Sequence, residues 1–139
     1  MKRSISIPAV LSGLSALRDA ISDFIGMALN DKDKGRVILA VDEAVTNVIA
    51  HGYHYDESKS IDIEMESSPD SFTFIIIDTA EEFNPLEVAV PDITEYQEQG
   101  ESSGLGVDLY RRIMDVRYER IESGGNRLIL IKERANENK

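Results

Sequence analysis

Apolar residues recur at Val10, Leu14, Leu17, Ile21, Phe24 and Ala28, a spacing that puts them on one face of a helix. A second run at the same period takes in Val37, Ile38, Val41, Ala44, Val45, Val48 and Ile49. It follows a break at Asn30–Gly35 and ends at His51–Gly52, where glycine suits a helix C-terminus. Ahead of both, residues 2–7 predict a short edge strand closed by Pro8. From Ser60 the period falls to two: Ile61, Ile63 and Met65 alternate with Asp62, Glu64 and Glu66, which describes a strand buried on one face. Ser67-Ser68-Pro69-Asp70 turns the chain. Phe72–Ile77, apolar almost throughout, then predicts a central strand, antiparallel to its predecessor because the connection is so short.

Residues 79–103 carry Pro85, Pro91 and Gly100 and show little periodicity. A connection this much longer than the usual ~4–6 residues suggests a lid or a binding loop. Gly104-Leu105-Gly106 opens a short helix to about Asp115, and Val116–Ile121 and Arg127–Lys132 form a last hairpin before a polar tail, 132–139. The predicted architecture is an α/β (α+β) two-layer sandwich, a largely antiparallel mixed sheet covered on one face by three helices.

The 139 residues fit a single domain spanning 1–139. With 42% hydrophobic and 29% charged residues the chain can bury a core and is not a disordered tail. Lys plus Arg number 15 against 26 Asp plus Glu, a net charge of −11 that repels a phosphate backbone, so direct nucleic-acid and anionic-membrane binding are disfavoured. No cysteine is present to form a disulfide, a thiolate metal site or a thiol nucleophile. Serines, Pro8 and Gly13 interrupt the N-terminal apolar residues, and nothing approaches the roughly 20 apolar residues of a membrane span. The expected location is the cytoplasm.

Three places carry candidate chemistry. With Val41 set at zero and roughly 100° per residue, Val37, Val45 and Val48 fall within about 40° of it, while Glu43 and Asn47 lie near −160° and −120°. These two therefore project together, away from the core stripe. Glu43 could accept a proton from a hydroxyl, and Asn47 could offer a hard oxygen to Mg²⁺; a solvated helix face carries such pairs too. Asp78 ends the central strand, where a buried carboxylate would accept from adenine's amino group and oppose guanine's carbonyl, or would only cap the loop. Ser102-Ser103-Gly104-Leu105-Gly106 lies at a helix start, as a phosphate cradle or as ordinary turn chemistry. There is no G-x-x-x-x-G-K-[ST] loop, no G-x-G-x-x-G and no G-x-S-x-G elbow. His51 and His54, beside Asp56, lack a distant matching cluster and read as structural or exposed histidines.

In this order the three places resemble the Bergerat-type, histidine-kinase-like (GHKL) ATP-binding fold shared by histidine-kinase ATPase domains, gyrase-type ATPases and the small bacterial anti-sigma-factor serine/threonine kinases. The match runs from about Val37 to Lys132. Val41-Asp42-Glu43-Ala44-Val45-Thr46-Asn47-Val48-Ile49-Ala50-His51-Gly52-Tyr53 is similar to the N-box of the anti-sigma branch. Asp78 with Phe83-Asn84-Pro85 resembles the first glycine box and its sequel, and Gly104-Leu105-Gly106-Val107-Asp108-Leu109 the second.

The resemblance implies ATP and Mg²⁺ as cofactors, with Glu43 as the base for a serine hydroxyl and Asn47 as the Mg²⁺ ligand. Asp78 would read adenine, Gly104 and Gly106 would hold phosphates, and Ala80, Phe83 and Leu105 would belong to the ATP site. It also implies a sigma factor and an anti-sigma-factor antagonist as protein partners, commonly with a homodimer. The chain departs from the pattern twice. Ala80 stands where the family has glycine, at a cost on the order of 1 kcal/mol if that position needs a left-handed backbone. The expected lid, Asp92–Ser103, carries Asp92, Glu95, Glu98 and Glu101 and no cation, so Arg36, Arg111 or Arg112 would have to supply positive charge. A catalytically weak or inactive protein-binding regulator on the same fold is the alternative.

Overall fold

The computed structural model describes residues 1–87 and 109–134. The Asp92–Ser103 lid, the Gly104-Leu105-Gly106 turn and the end of the polar tail lie outside the described residues. β1 (Lys2–Pro8) leads through a 3-10 turn, Leu11–Gly13, into α1 (Leu14–Ile25) and α2 (Asp31–Asn47). Then come β2 (Ser60–Ser67), β3 (Ser71–Asp78), a helical segment at 109–113, β4 (Asp115–Arg120) and β5 (Asn126–Glu133). The strands form one sheet in the order β1-β2-β3-β5-β4, and every pairing is antiparallel. β3 is central and β1 is an edge, as the sequence pattern predicts.

Pleating decides which side chains meet the helices. Ile61, Ile63 and Met65 of β2, Phe72, Phe74 and Ile76 of β3, and Leu128 and Leu130 of β5 are buried and lie on one face, with Phe74 opposite Leu130 and Ile76 opposite Leu128. The helices close that face with Leu14, Leu17, Ile21 and Ile25 from α1 and Val37, Val41 and Val45 from α2, all buried. The period-two row of β3 continues past Ile76 to Asp78, and the matching row of β5 starts at Asn126, directly opposite Asp78. The inner face therefore ends in a polar pair at one end of an apolar core. Between the helices, Arg18 grips Asp42 with two hydrogen bonds, 2.8 and 3.1 Å.

One boundary differs from the sequence expectation, and another is reached by a different geometry. The break at Asn30–Gly35 is much shorter, because α2 already starts at Asp31. The Asn30 side chain accepts from the Asp33 N–H at 2.8 Å, and Asp31 and Asp33 sit in the first turn, where the helix dipole favours acids. Gly35 is thus inside the helix, exposed, at a propensity cost of about 1 kcal/mol that the cap offsets. At the other end the helix does not stop on a left-handed glycine. After Asn47 it widens into a π-helical turn, Val48–Gly52, in which the Tyr53 N–H reaches the Val48 carbonyl. The left-handed residues come later, at His54 (φ 51°) and Tyr55 (φ 61°). Gly52 is small for a tertiary reason: a Cβ there would stand 3.0 Å from the Ala80 Cβ.

Candidate functional site

A cleft with about 400 Å³ of empty space, its mouth included, opens between the C-terminal end of α2 and the end of β3 and β5. Asn47, Asp78, Ala80 and Phe83 all line it. Four residues singled out on a helix, a strand end and a loop are thereby brought to one place. Glu43, one turn further back on α2, is half-buried and is not among the lining residues. Gly104, Leu105 and Gly106 are outside the described residues.

On the sheet side the cleft is built around Asp78, which is only 4% exposed. Its Oδ1 accepts from the Ala80 N–H at 2.9 Å and from Asn126 Nδ2 at 2.8 Å. No described residue donates to Oδ2, which leaves that oxygen for a ligand. Burial pushes the Asp78 carboxyl above its ordinary range, and the Asn126 amide, the Ala80 N–H and the Arg120 charge oppose that shift. Arg120 also ties down the neighbouring loop, donating to the Ala80 carbonyl at 2.9 Å.

Close backbone contact completes this wall. Gly125 has φ +117°, and a Cβ there would lie 2.2 Å from the Asp78 carbonyl oxygen, so only glycine lets the β4–β5 turn press against the end of β3. Tyr53, buried just beyond the π-helical turn, accepts the Thr79 N–H at 2.6 Å and shares a 3.0 Å hydrogen bond with the Thr79 hydroxyl. It thereby clamps the end of the helix to the residue after Asp78. Ala80 is not left-handed, so the strain that a glycine-requiring backbone would impose is absent; its methyl packs toward Gly52 instead.

The helix side is less complete. Asn47 Nδ2 is buried without a well-formed hydrogen bond, a cost of about 1–3 kcal/mol in a finished interior, although the side chain lies near enough to the Tyr110 hydroxyl to act on it as a weak donor. Its neighbour in the cleft is Tyr110, whose hydroxyl burial drives far above its ordinary range, opposed by the charge of Arg111 and by the Asn47 side chain. An unsatisfied carboxamide at a cleft wall is chemically suited to a ligand carrying phosphates and a hard cation, because its carbonyl oxygen can coordinate and its N–H can donate. Among the described residues no group of three or more His, Asp or Glu could hold a metal. A Mg²⁺ held there would take its remaining ligands from phosphate and water, which is that ion's ordinary preference.

A two-layer sandwich with a buried acid at a strand end and an amide-bearing helix across a cleft is the class of a nucleotide-binding domain. Residues 7–132 match the family described as the histidine kinase-like ATPase domain, and the chain belongs to that family. Within it, the chain is 30% identical over 136 residues to the anti-sigma F factor of Clostridium beijerinckii, covering 97% of this chain and 95% of that one. It is 33% identical over 97 residues to the anti-sigma F factor of Clostridium perfringens, 70% of this chain and 69% of that one. Among solved structures, a chain of the SiaB–SiaC complex from Pseudomonas aeruginosa superimposes with a TM-score of 0.64 at 14% identity, covering 94% of this chain and 89% of that one, a likeness of fold. Among the described residues no helix is long and apolar enough to cross a membrane.

Sequence reasoning missed Asn126, Gly125 and Tyr53 as parts of the site. Gly125 and Asn126 read locally as turn residues, and Tyr53 as the tail of a helix motif. One signal was available for Asn126: counted back in steps of two from Leu130 and Leu128, it falls on the inner face, as Asp78 does from Ile76.

Proposed function

We propose that the protein is an ATP-dependent serine/threonine protein kinase of the anti-sigma-factor type, which binds a sigma factor and phosphorylates an anti-sigma-factor antagonist. It would act in the cytoplasm as a homodimer. The observation that carries this reading is that Asn47 and Asp78, from different layers of the fold, line the same cleft. Membership of the histidine kinase-like ATPase domain family implies ATP, and the likeness to anti-sigma F factors over nearly the whole chain supports a regulator that switches between protein partners.

In this reading Asp78 accepts from the adenine amino group, and the apolar cleft wall around Ala80 and Phe83 excludes water from the base. Asn47 holds the Mg²⁺, which when bound supplies positive charge beside the phosphates. Glu43, outside the cleft lining but on the same face of α2, meets a serine hydroxyl presented from solvent and takes its proton. Incubation with labelled ATP, Mg²⁺ and a cognate antagonist is the direct test. Label transferred to the antagonist and abolished by Glu43→Ala is the expected result; no transfer, or transfer that Glu43→Ala leaves intact, overturns it.

One observation favours a second reading, a regulator that binds partners with weak or no catalysis. Among the described residues the cleft lining includes the acids Asp78 and Glu81 and no lysine or arginine, whereas phosphoryl transfer depends on cations around the migrating group. Melting curves separate the two. Bound nucleotide at 100 times Kd adds about 2.7 kcal/mol, so an unchanged melting temperature in millimolar Mg·ATP selects the binding-only regulator.

A further inference from the structure

Asp78 and Asn126 are the two buried polar side chains among the described residues, 48 positions apart in sequence and facing each other across the β3–β5 ladder. Asn126 uses both ends of its carboxamide. Nδ2 donates to Asp78 Oδ1 at 2.8 Å and to the Glu81 carbonyl at 2.9 Å. Oδ1 accepts from the Phe83 N–H at 3.2 Å and from the Tyr118 hydroxyl. The amide has one possible orientation here, because a carboxylate and a carbonyl can only accept and a backbone N–H can only donate. With the Ala80 N–H also directed at Asp78 Oδ1, both donors converge on the same carboxylate oxygen.

We propose that Asn126 is the positioning residue that sets which purine the cleft accepts: it saturates Asp78 Oδ1 and fastens the loop bearing Phe83, so that Oδ2 alone faces the base edge. This rests on the ATP-binding reading above and goes beyond it, since it assigns base selectivity to a residue that need not touch the nucleotide. An ionised carboxylate held in one rotamer is purely an acceptor. It matches the 6-amino group of adenine and sets lone pair against lone pair with the 6-carbonyl of guanine. Without the amide, the carboxylate is free to turn, and burial favours its protonated form, which can donate to the guanine carbonyl. Loss of Asn126 therefore narrows discrimination, more than it weakens the fold or ATP binding as such.

The loop gives the same residue a second effect. Phe83, 41% exposed at the cleft wall, is held through its backbone N–H by the amide that orients Asp78. An aromatic placed against the base and an acceptor placed at its edge are thus set by one side chain.

The test is isothermal titration of Mg·ATP and Mg·GTP into the full chain, wild type beside Asn126→Leu, Asn126→Asp and Tyr118→Phe. Wild type is expected to prefer ATP by about 100-fold or more, and Asn126→Leu to cut that ratio at least about tenfold, in line with a lost charged hydrogen bond. In Asn126→Asp two carboxyls at hydrogen-bond distance share a proton, so the ratio should narrow further as pH falls from about 8 to about 6. This variant keeps the side-chain shape and serves if Asn126→Leu fails to fold. Tyr118→Phe removes a hydroxyl that holds the Asn126 amide in place at the cleft wall, and should narrow the ratio in the same direction but by less than Asn126→Leu. ATP binding with an ATP-to-GTP ratio unchanged in both Asn126 variants overturns the proposal and leaves the ATP reading standing. Failure of the wild type to bind either nucleotide overturns both.

Discussion

The two walls of the cleft are finished to different degrees. On the sheet side Asp78 Oδ1, Asn126, Arg120 and the Ala80 backbone are tied together by hydrogen bonds that leave Asp78 Oδ2 open, with Tyr53 holding the adjoining Thr79 and a glycine whose absent side chain lets two backbones touch. On the helix side the buried Asn47 Nδ2 forms no well-aligned hydrogen bond and has only the Tyr110 hydroxyl beside it. A wall that discriminates between bases must hold its acceptor still, because selectivity is lost if a carboxylate can rotate or take a proton. A wall that receives phosphates and a hydrated cation gains from groups left unpaired, since the ligand's arrival then repairs a deficit. On the proposed reading, rigid recognition of one end of the ligand and completion by its other end would be the two strategies, side by side in one cleft.

The largest effect is expected from the tightest contact. Gly125→Ala would drive a methyl into the Asp78 carbonyl and should cost about 4 kcal/mol or more in urea denaturation. Gly124→Ala, also at positive φ (+112°) but with open space around it, should cost only the backbone term, about 1–2 kcal/mol. Equal losses in the two would show that the sheet-side wall is not braced there.

Next comes Asp78→Asn. It replaces a two-oxygen acceptor by a group that can also donate, and Mg·ATP affinity measured by calorimetry should fall about 10- to 100-fold, roughly 1.4–2.8 kcal/mol. The protein itself should unfold at a similar or higher urea concentration, because a buried charge is removed. The pH dependence carries the same message. A folded-state value raised above the ordinary 3.8 means that the folded protein holds its proton more tightly than the unfolded chain. Asp78 therefore contributes stability that is fully present below about pH 3.8 and is lost as pH rises through the raised folded value. Asp78→Asn should flatten that part of the stability profile, while in the wild type ATP affinity should weaken as pH falls and the carboxylate is protonated.

The smallest effect on the free protein, and the sharpest test of the contrast, is Asn47→Ala. Deleting a buried donor without a well-formed hydrogen bond should change unliganded stability by less than about 1 kcal/mol, because the relief offsets the lost packing. Mg·ATP affinity should nevertheless drop about tenfold. If the free protein instead loses as much stability as with Gly125→Ala, the helix side is as complete as the sheet side and the contrast fails.

Much of this was legible in the chain. The periods of 3.6 and 2 mark both helices and the order and burial of the strands, since each apolar stripe needs a partner and short turns leave antiparallel pairing as the connection. The Glu43/Asn47 spacing and the acid after Phe72–Ile77 likewise stand out, because a local period exposes what departs from it. The start of α2 was misjudged because a capping asparagine and two acids outweigh a glycine five residues on, a balance of small local terms. The helical stretch ends at Gly52, where the sequence places its end, but through a π-helical turn, and Gly52 is demanded by Ala80 across the fold and not by a left-handed cap.

By itself, then, the sequence determined the elements, their inner faces and the identity of the groups at the helix and strand ends, all of which follow from interactions within a few residues. Only the tertiary structure decided that Asn126 faces Asp78, that Gly125 must lack a side chain and that Tyr53 ties helix to strand. The first two depend on the register between β3 and β5, where contacts 48 residues apart are fixed by the packing of the whole sheet, and the third on how the end of α2 seats against the residue after Asp78.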